Sequence, residues 1–389
     1  MLITAETIVT GSELLRPGWI DIDRGVIRAV GAGVPPRPAD LDFGAATVVP
    51  GFVDMHVHGG GGASFSTPDG SASATATAVD FHRRHGTTTM VASLVTARPA
   101  ELLTQVRAMV EHVESGLVAG VHLEGPWLAA ERCGAHELSA LRNPDPAELN
   151  RVLDAGAGTI RMITVAPERT GGLNAIRRIV DAGAVAAIGH TEATYAQATA
   201  AVDAGATVAT HLFNAMRPVH HREPGPVLAL MDDPRVTVEL ITDGVHLHPA
   251  LYRDVSRSVG PDRVALVTDA MAAAGMADGS YLLGSLTVQV TEGVARVAGT
   301  ETIAGSTATM DHVFRYAVTH SGLSRDEALL SAVRQSSVNP ARALGLPAAG
   351  LTVGAGADLV VLDGELTVTG VLHRGSWVTE PAVSRCAMD

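Results

Sequence analysis

Five short polar stretches of this sequence hold the residue types that metal-assisted hydrolysis uses, and each closes an apolar run. They are Asp54-Met55-His56-Val57-His58, His122-Leu123-Glu124-Gly125-Pro126, Gly189-His190-Thr191, Thr210-His211-Leu212-Phe213-Asn214 and Val267-Thr268-Asp269-Ala270. In His56-x-His58 the period-two alternation of a strand sends both imidazoles to one face, where a divalent ion can bind both. Alone the pair is a weak signal, because two unrelated histidines can also end a strand. Glu124, His190, His211 or Asp269, taken singly, is more often a polar residue satisfied by its surroundings. Together the six side chains form a nitrogen and oxygen ligand set suited to Zn²⁺ or Fe²⁺.

The elements that must position them follow from hydrophobic patterning. Runs rich in β-branched residues at 47–53, 87–95, 117–123, 159–165, 184–188, 207–210, 236–242 and 264–268 alternate with Ala-rich helical stretches such as 73–85, 100–114, 173–182 and 195–204. Repeated βα units of this kind build a parallel sheet, and eight of them predict a closed (β/α)₈ TIM-like barrel. Active sites of such barrels lie at the C-terminal ends of the strands, where these polar residues fall. The two ends of the chain differ from the middle, with short strands separated by Gly and Pro turns and no helices between them. A small β-sandwich assembled from both termini is therefore expected beside the barrel. Residues 1–48 and 346–389 would supply the sandwich and residues 49–345 the catalytic barrel, with a hairpin at 281–297 inserted after strand eight.

Composition narrows the chemistry. All 28 basic residues are arginine and there is no lysine, so Schiff-base catalysis, P-loop phosphate binding and a carboxylated-lysine metal bridge are excluded. Only Cys133 and Cys386 are present, which fits a reducing compartment and leaves any metal to His, Asp or Glu. A net charge of −13 argues against nucleic acid or an anionic membrane as partner, so an anionic substrate needs a local arginine. No apolar run approaches the ~18 residues of a membrane span and no signal peptide opens the chain, so a soluble cytoplasmic protein is expected.

The stretch Pro50-Gly51-Phe52-Val53-Asp54-Met55-His56-Val57-His58-Gly59 and the strand-end residues resemble the amidohydrolase superfamily, whose members carry such a barrel beside a small β-sandwich. The motifs His122-x-Glu124-Gly-Pro-Trp127, Gly189-His190-Thr191, His211-x-x-Asn214-Ala215-Met216, Arg222-Glu-Pro-Gly225, Asp243-Gly-Val-His246, Thr268-Asp269-Ala270 and Ala304-Gly305-Ser306 are similar, in order and across nearly the full chain, to the N-acetylglucosamine-6-phosphate deacetylase family within it. The resemblance implies hydrolysis of the acetamide of N-acetyl-D-glucosamine 6-phosphate to D-glucosamine 6-phosphate and acetate. The alternative is a related amidohydrolase acting on another N-acyl substrate such as N-acetylgalactosamine 6-phosphate. A catalytically silent barrel that senses a sugar phosphate is a third reading, against which the retained Asp269 speaks.

Carried over residue by residue, the resemblance gives Glu124, His190 and His211 the principal ion, and His56 and His58 a second, with Glu124 available as a bridge and Asp269 as a further ligand. One or two divalent ions per subunit are implied, Zn²⁺ first, with Fe²⁺, Co²⁺ or Mn²⁺ also accepted by such ligands. Asp269 would take the water proton and pass it to the departing amine. His136 would contact the acetyl carbonyl beside Ala135, although from the residues alone it is an ordinary loop histidine. Arg222 and His246 would hold the phosphate with the backbone of Asn214 and Ala215, while Asp243, Ile303, Ala304, Gly305 and Ser306 would line the sugar. Without the motif, Arg222 reads as a surface partner of Glu223. The family places this arginine in a neighbouring subunit's site, which implies a homodimer. His220 and His221 depart from the usual residues before it, leaving that loop's contacts open. Cys133 would stand as a free thiol near the mouth.

Overall fold

The computed structural model describes residues 1–67 and 72–381; Cys386 lies outside them. Eight parallel strands follow one another in chain order in a single sheet: Phe52–Val57, Thr87–Val95, Gly120–Glu124, Ile160–Val165, Val185–Ile188, Val208–Ala209, Thr237–Leu240 and Val264–Leu266. Each precedes a helix, from Ala72–Arg84 after the first to Met310–His320 after the eighth. The helices present one apolar stripe to the sheet, as in Gly172–Asp181, where Ala175, Ile176 and Ile179 are buried. The result is a nearly closed TIM-like barrel.

Its seam, between strands eight and one, is closed by loop and side-chain bonds instead of a regular ladder. The Asp269 N–H donates to the His56 carbonyl (2.9 Å) and the His58 N–H to the Ala270 carbonyl (2.8 Å). Below them the buried Asp54 carboxylate accepts from the Thr268 hydroxyl at 2.5 Å and the Thr268 N–H at 3.3 Å.

Inward positions repeat every second residue along each strand, so the lumen fills in layers. The lower layer is apolar: Met55, Val91, Met162, Ala187, Val208 and Ala265 are buried together with Ile241, Val267 and Leu344. One pleat higher the residues become polar and bond around the barrel. The Ser93 hydroxyl meets His122 Nδ1 (2.9 Å), His122 Nε2 meets the Thr164 hydroxyl (2.8 Å), and Thr164 meets Thr210 (2.8 Å).

The sequence-predicted strand at 47–53 is two strands. Thr47–Pro50 pairs with Leu359–Leu362 outside the barrel, and Phe52–Val57 begins the barrel itself. Gly51 joins them because a Cβ there would sit 2.1 Å from the Thr88 hydroxyl. Thr47–Pro50 belongs to a six-stranded sheet with Thr7–Val9, Leu14–Leu15 and three strands from 359–379, beside a four-stranded sheet of residues 2–42. Ile3, Ile8, Ile20, Ile27, Val48 and Leu359 pack between them in a separate core. After strand eight, Gly279–Leu283, Leu286–Thr291 and Val294–Val297 form a three-stranded antiparallel sheet.

Candidate active site

The six strand-end residues meet at the barrel mouth in two groups: His56, His58 and Asp269, and Glu124, His190 and His211, with the ligand atoms of each group within 4.8 Å of one another. Glu124 joins the groups. Its Oε1 lies 3.1 Å from His190 Nε2, 2.9 Å from His211 Nε2 and 3.5 Å from His56 Nε2, and its Oε2 lies 3.1 Å from His58 Nε2. Asp269 Oδ1 stands 3.2 Å from His58 Nε2 and 3.5 Å from His56 Nε2.

Where the chain leaves a strand, it turns sharply to aim these groups. His190 (φ 47°), His211 (φ 26°) and Asp269 (φ 50°) all hold the left-handed backbone that non-glycine residues rarely adopt. Strain of this kind persists where the surrounding structure over-determines it, which is typical of functional sites.

Behind the rings stand hydrogen-bond acceptors. His58 Nδ1 lies 3.1 Å from the Ser93 carbonyl, His190 Nδ1 2.9 Å from the Arg132 carbonyl, and His56 Nδ1 3.0 Å from Glu239 Oε2. Donation from each Nδ1 leaves the Nε2 lone pair facing the mouth, the tautomer a metal ligand needs. The Nε2 atoms of His56 and His58 then approach to 3.2 Å, and those of His190 and His211 to 3.1 Å. Electron pairs packed this closely against two carboxylates require positive charge among them, so the donor set fits divalent metal. Its nitrogen and oxygen composition suits Zn²⁺ or Fe²⁺.

Protonation equilibria carry the same signature. Burial alone would lower the His58 pKa, but hydrogen bonds to Asp269 and Glu124 outweigh it and raise it to about 9. His56 is likewise raised, its burial overcome by the charges of Glu124, Glu239 and Asp269. For His190 burial prevails over Glu124, and the pKa falls to about 4. Burial pushes against ionisation of Asp269 and Glu124, yet the surrounding imidazoles hold both below the ordinary carboxylate range. Asp269 is therefore ionised.

A cavity of about 490 Å³ opens over these groups, lined also by Ala135, His136, Asn214, Ala215, His246, Ile303 and Gly305. The Thr96 N–H donates to His136 Nδ1 at 3.3 Å, which puts that ring's proton on Nε2, 3.3 Å from Glu124 Oε2. His136 thus turns an N–H towards the reacting space. Asp243 lies behind His246, its Oδ2 2.7 Å from His246 Nδ1, and lines an adjoining cavity together with Ser306. Ser306 donates from its hydroxyl to the Thr268 carbonyl at 2.5 Å, and Ala304 is fully buried. These three are absent from the lining of the main cavity, which shares His246, Ile303 and Gly305 with the adjoining one. Arg222 is exposed, beside His221 Nε2 at 2.7 Å, and is absent from that lining. Glu223 accepts instead from the N–H groups of Tyr195 (2.8 Å) and Gly225 (3.1 Å).

Sequence reasoning missed Glu239, Ser93 and Arg132. Glu239 interrupts the apolar run Val236–Ile241, and a carboxylate in a buried strand was the available signal. Arg132 lines the cavity and pairs with Glu192 at 2.5 Å. Cys133 lines it too.

Residues 47–384 match the amidohydrolase family. In structure the chain is similar to a point mutant of the N-acetyl-D-glucosamine-6-phosphate deacetylase from Mycobacterium smegmatis in complex with N-acetyl-D-glucosamine-6-phosphate, with a TM-score of 0.97, 63% identity, and 98% of this chain and 99% of that one covered. It is 37% identical over 357 residues to the N-acetylglucosamine-6-phosphate deacetylase of Bos taurus, covering 88% of this chain and 86% of the relative. It is 35% identical over 376 residues to the N-acetylgalactosamine-6-phosphate deacetylase of Escherichia coli O157:H7, covering 93% and 96%.

Proposed function

The chain belongs to the amidohydrolase family, and from that premise we propose that it hydrolyses the acetamide of N-acetyl-D-glucosamine 6-phosphate to D-glucosamine 6-phosphate and acetate. The observation that carries this is the convergence of two triads of metal-ligand atoms, each within 4.8 Å, beneath a cavity into which His136 turns a donor. Glu124, His190 and His211 would hold one divalent ion, and His56, His58 and Asp269 a second with Glu124 between them; Zn²⁺ is the ion of choice. When bound, such ions supply Lewis-acid polarisation of the carbonyl and activation of water at neutral pH.

The chain's own residues supply the rest. Asp269, ionised and buried at the cavity floor, accepts the proton of the attacking water and returns it to the nitrogen as the C–N bond breaks, because an amine leaves far more easily than an amide anion. His136 Nε2–H donates to the acetyl oxygen as charge builds there. His246, Asn214, Ala215, Ile303 and Gly305 line the space for the sugar phosphate, with Asp243 orienting His246. Arg222 stands outside its own subunit's cavity lining, which supports a homodimer in which it reaches the neighbour's phosphate with a planar, two-pronged donor. Residues 51–345 act as the catalytic barrel, and 1–50 with 346–381 as the β-sandwich. No helix among the described residues is long and apolar enough to cross a membrane, and we place the reaction in the cytoplasm.

The E. coli relative keeps the C4 epimer in view. Acetate release measured with both sugar phosphates, with and without chelator, tests the proposal. Chelator-sensitive turnover with kcat/KM higher for the glucosamine epimer is expected. Preference for the galactosamine epimer would reassign the substrate, and chelator-insensitive turnover would end the metal-dependent reading.

A further inference from the structure

Glu239 is fully buried on strand seven, and one oxygen of its carboxylate serves both ligand groups. Oε2 lies 3.0 Å from His56 Nδ1 and accepts the backbone N–H of His211, also at 3.0 Å. Oε1 has no hydrogen-bond partner among the described residues, so the hydrogen bonds of this carboxylate are those of Oε2. The remaining ligand imidazoles are held differently. His58 and His190 rest on neutral backbone carbonyls, and His211 Nδ1 has no hydrogen-bond partner among the described residues. His56 alone is backed by a carboxylate, whose charge makes an imidazole a stronger donor to metal. A carboxylate buried in an apolar strand costs stability unless it is paired and hydrogen-bonded, and the partners of this one are a ligand ring and the backbone of another ligand.

We propose that Glu239 is a positioning residue for metal binding: by keeping the His56 proton on Nδ1, and by seating the His211 backbone on the same oxygen, it makes the group His56, His58 and Asp269 competent to take an ion. The proposal rests on the two-ion reading above. It concerns the orientation of the ring, with Glu239 touching neither ion nor substrate.

Three proteins test it: wild type, E239Q and E239L, each stripped of metal, reloaded with excess Zn²⁺, desalted and analysed for zinc per chain. Glutamine keeps an acceptor oxygen of the same reach; leucine keeps the volume and removes it. Wild type and E239Q are expected to retain two ions per chain and E239L one, its second ion bound at least tenfold more weakly in a titration. In parallel, ¹⁵N spectra of the histidine rings in the metal-free proteins, recorded at a pH high enough to leave His56 neutral, should show its proton on Nδ1 in wild type and E239Q and its release from that position in E239L. Two ions in E239L at wild-type affinity would overturn the proposal, as would equal losses in E239Q and E239L, which would assign the effect to charge alone. If E239L does not fold by circular dichroism, E239D replaces it, since the shorter side chain withdraws the oxygen from both nitrogens and must lose the second ion. A single ion in wild type would refute the two-ion reading instead; the ring spectra then decide Glu239 by themselves, and a neutral wild-type His56 ring with its proton on Nε2 would exclude its role.

Discussion

The two ends of the barrel lumen are built by the same eight strands from opposite materials. At the N-terminal end, Met55, Val91, Met162, Ala187, Val208 and Ala265 close against one another as a dry plug. A few pleats above, the inward positions are imidazoles and carboxylates, three of them on left-handed backbone. The lower layer gains free energy by leaving water, whereas the upper one spends part of that gain on crowded, charged groups. In one fold, then, stability and chemistry occupy separate storeys, and substitutions on each should read out differently.

The sharpest contrast comes from the mouth. Asp269→Asn should keep the ion assigned to Glu124, His190 and His211 and a melting temperature within a few degrees of wild type while losing at least ~10³-fold in kcat, about 4 kcal/mol of barrier. Turnover within about tenfold, roughly 1.4 kcal/mol, would remove Asp269 from proton transfer. The opposite experiment is Met162→Ala in the fully buried plug, which should cost about 2–5 kcal/mol in urea unfolding and leave kcat/KM within about twofold. A turnover loss comparable to that of the mouth variant would show that the storeys are not separable.

Smaller effects refine the boundary. Arg222→Ala should raise KM for the phosphorylated sugar by about 10- to 100-fold, some 1.4–2.7 kcal/mol, and leave the unphosphorylated analogue almost unchanged. Equal effects on both substrates would falsify phosphate recognition by this residue.

The smallest lies just outside the mouth. His82 is fully buried, its Nε2 2.8 Å from the Gly59 carbonyl, and burial depresses its pKa to about 4. Because the unfolded chain takes up this proton first, near pH 6.5, its contribution is present above that value and is lost as pH falls towards 4. Unfolding of wild type should become easier by roughly 1–2 kcal/mol between pH 7 and 5 than that of His82→Gln, compared as metal-free proteins. Parallel slopes for the two proteins would deny His82 that part.

What could be read in advance follows the same division. A strand that must be buried on both faces is written as an apolar run, and a barrel puts chemistry where such a run stops. His58, Glu124, His190, His211 and Asp269 were therefore visible as residue types at boundaries. The break at Pro50-Gly51 was not, because which side of it pairs with Leu359–Leu362 depends on a strand some 300 residues away. Asp243, Ala304 and Ser306 sat in motifs, but their surroundings could not be read there: the first meets His246, Ser306 bonds to the Thr268 carbonyl, and Ala304 is buried. Glu239 was hidden for the converse reason: its partner is His56, across a ring that local pattern does not close.

The seam gives the arrangement a consequence in time. Asp54, His56 and His58 emerge early from the ribosome, but the groups that complete their surroundings, Thr268, Asp269 and Ala270, are translated more than two hundred residues later. An unfinished or truncated chain ending before that point lacks Asp269 and has no closed ring to crowd its histidines. The ligand group His56, His58 and Asp269 thus cannot assemble until the seam closes, however early its histidines are made.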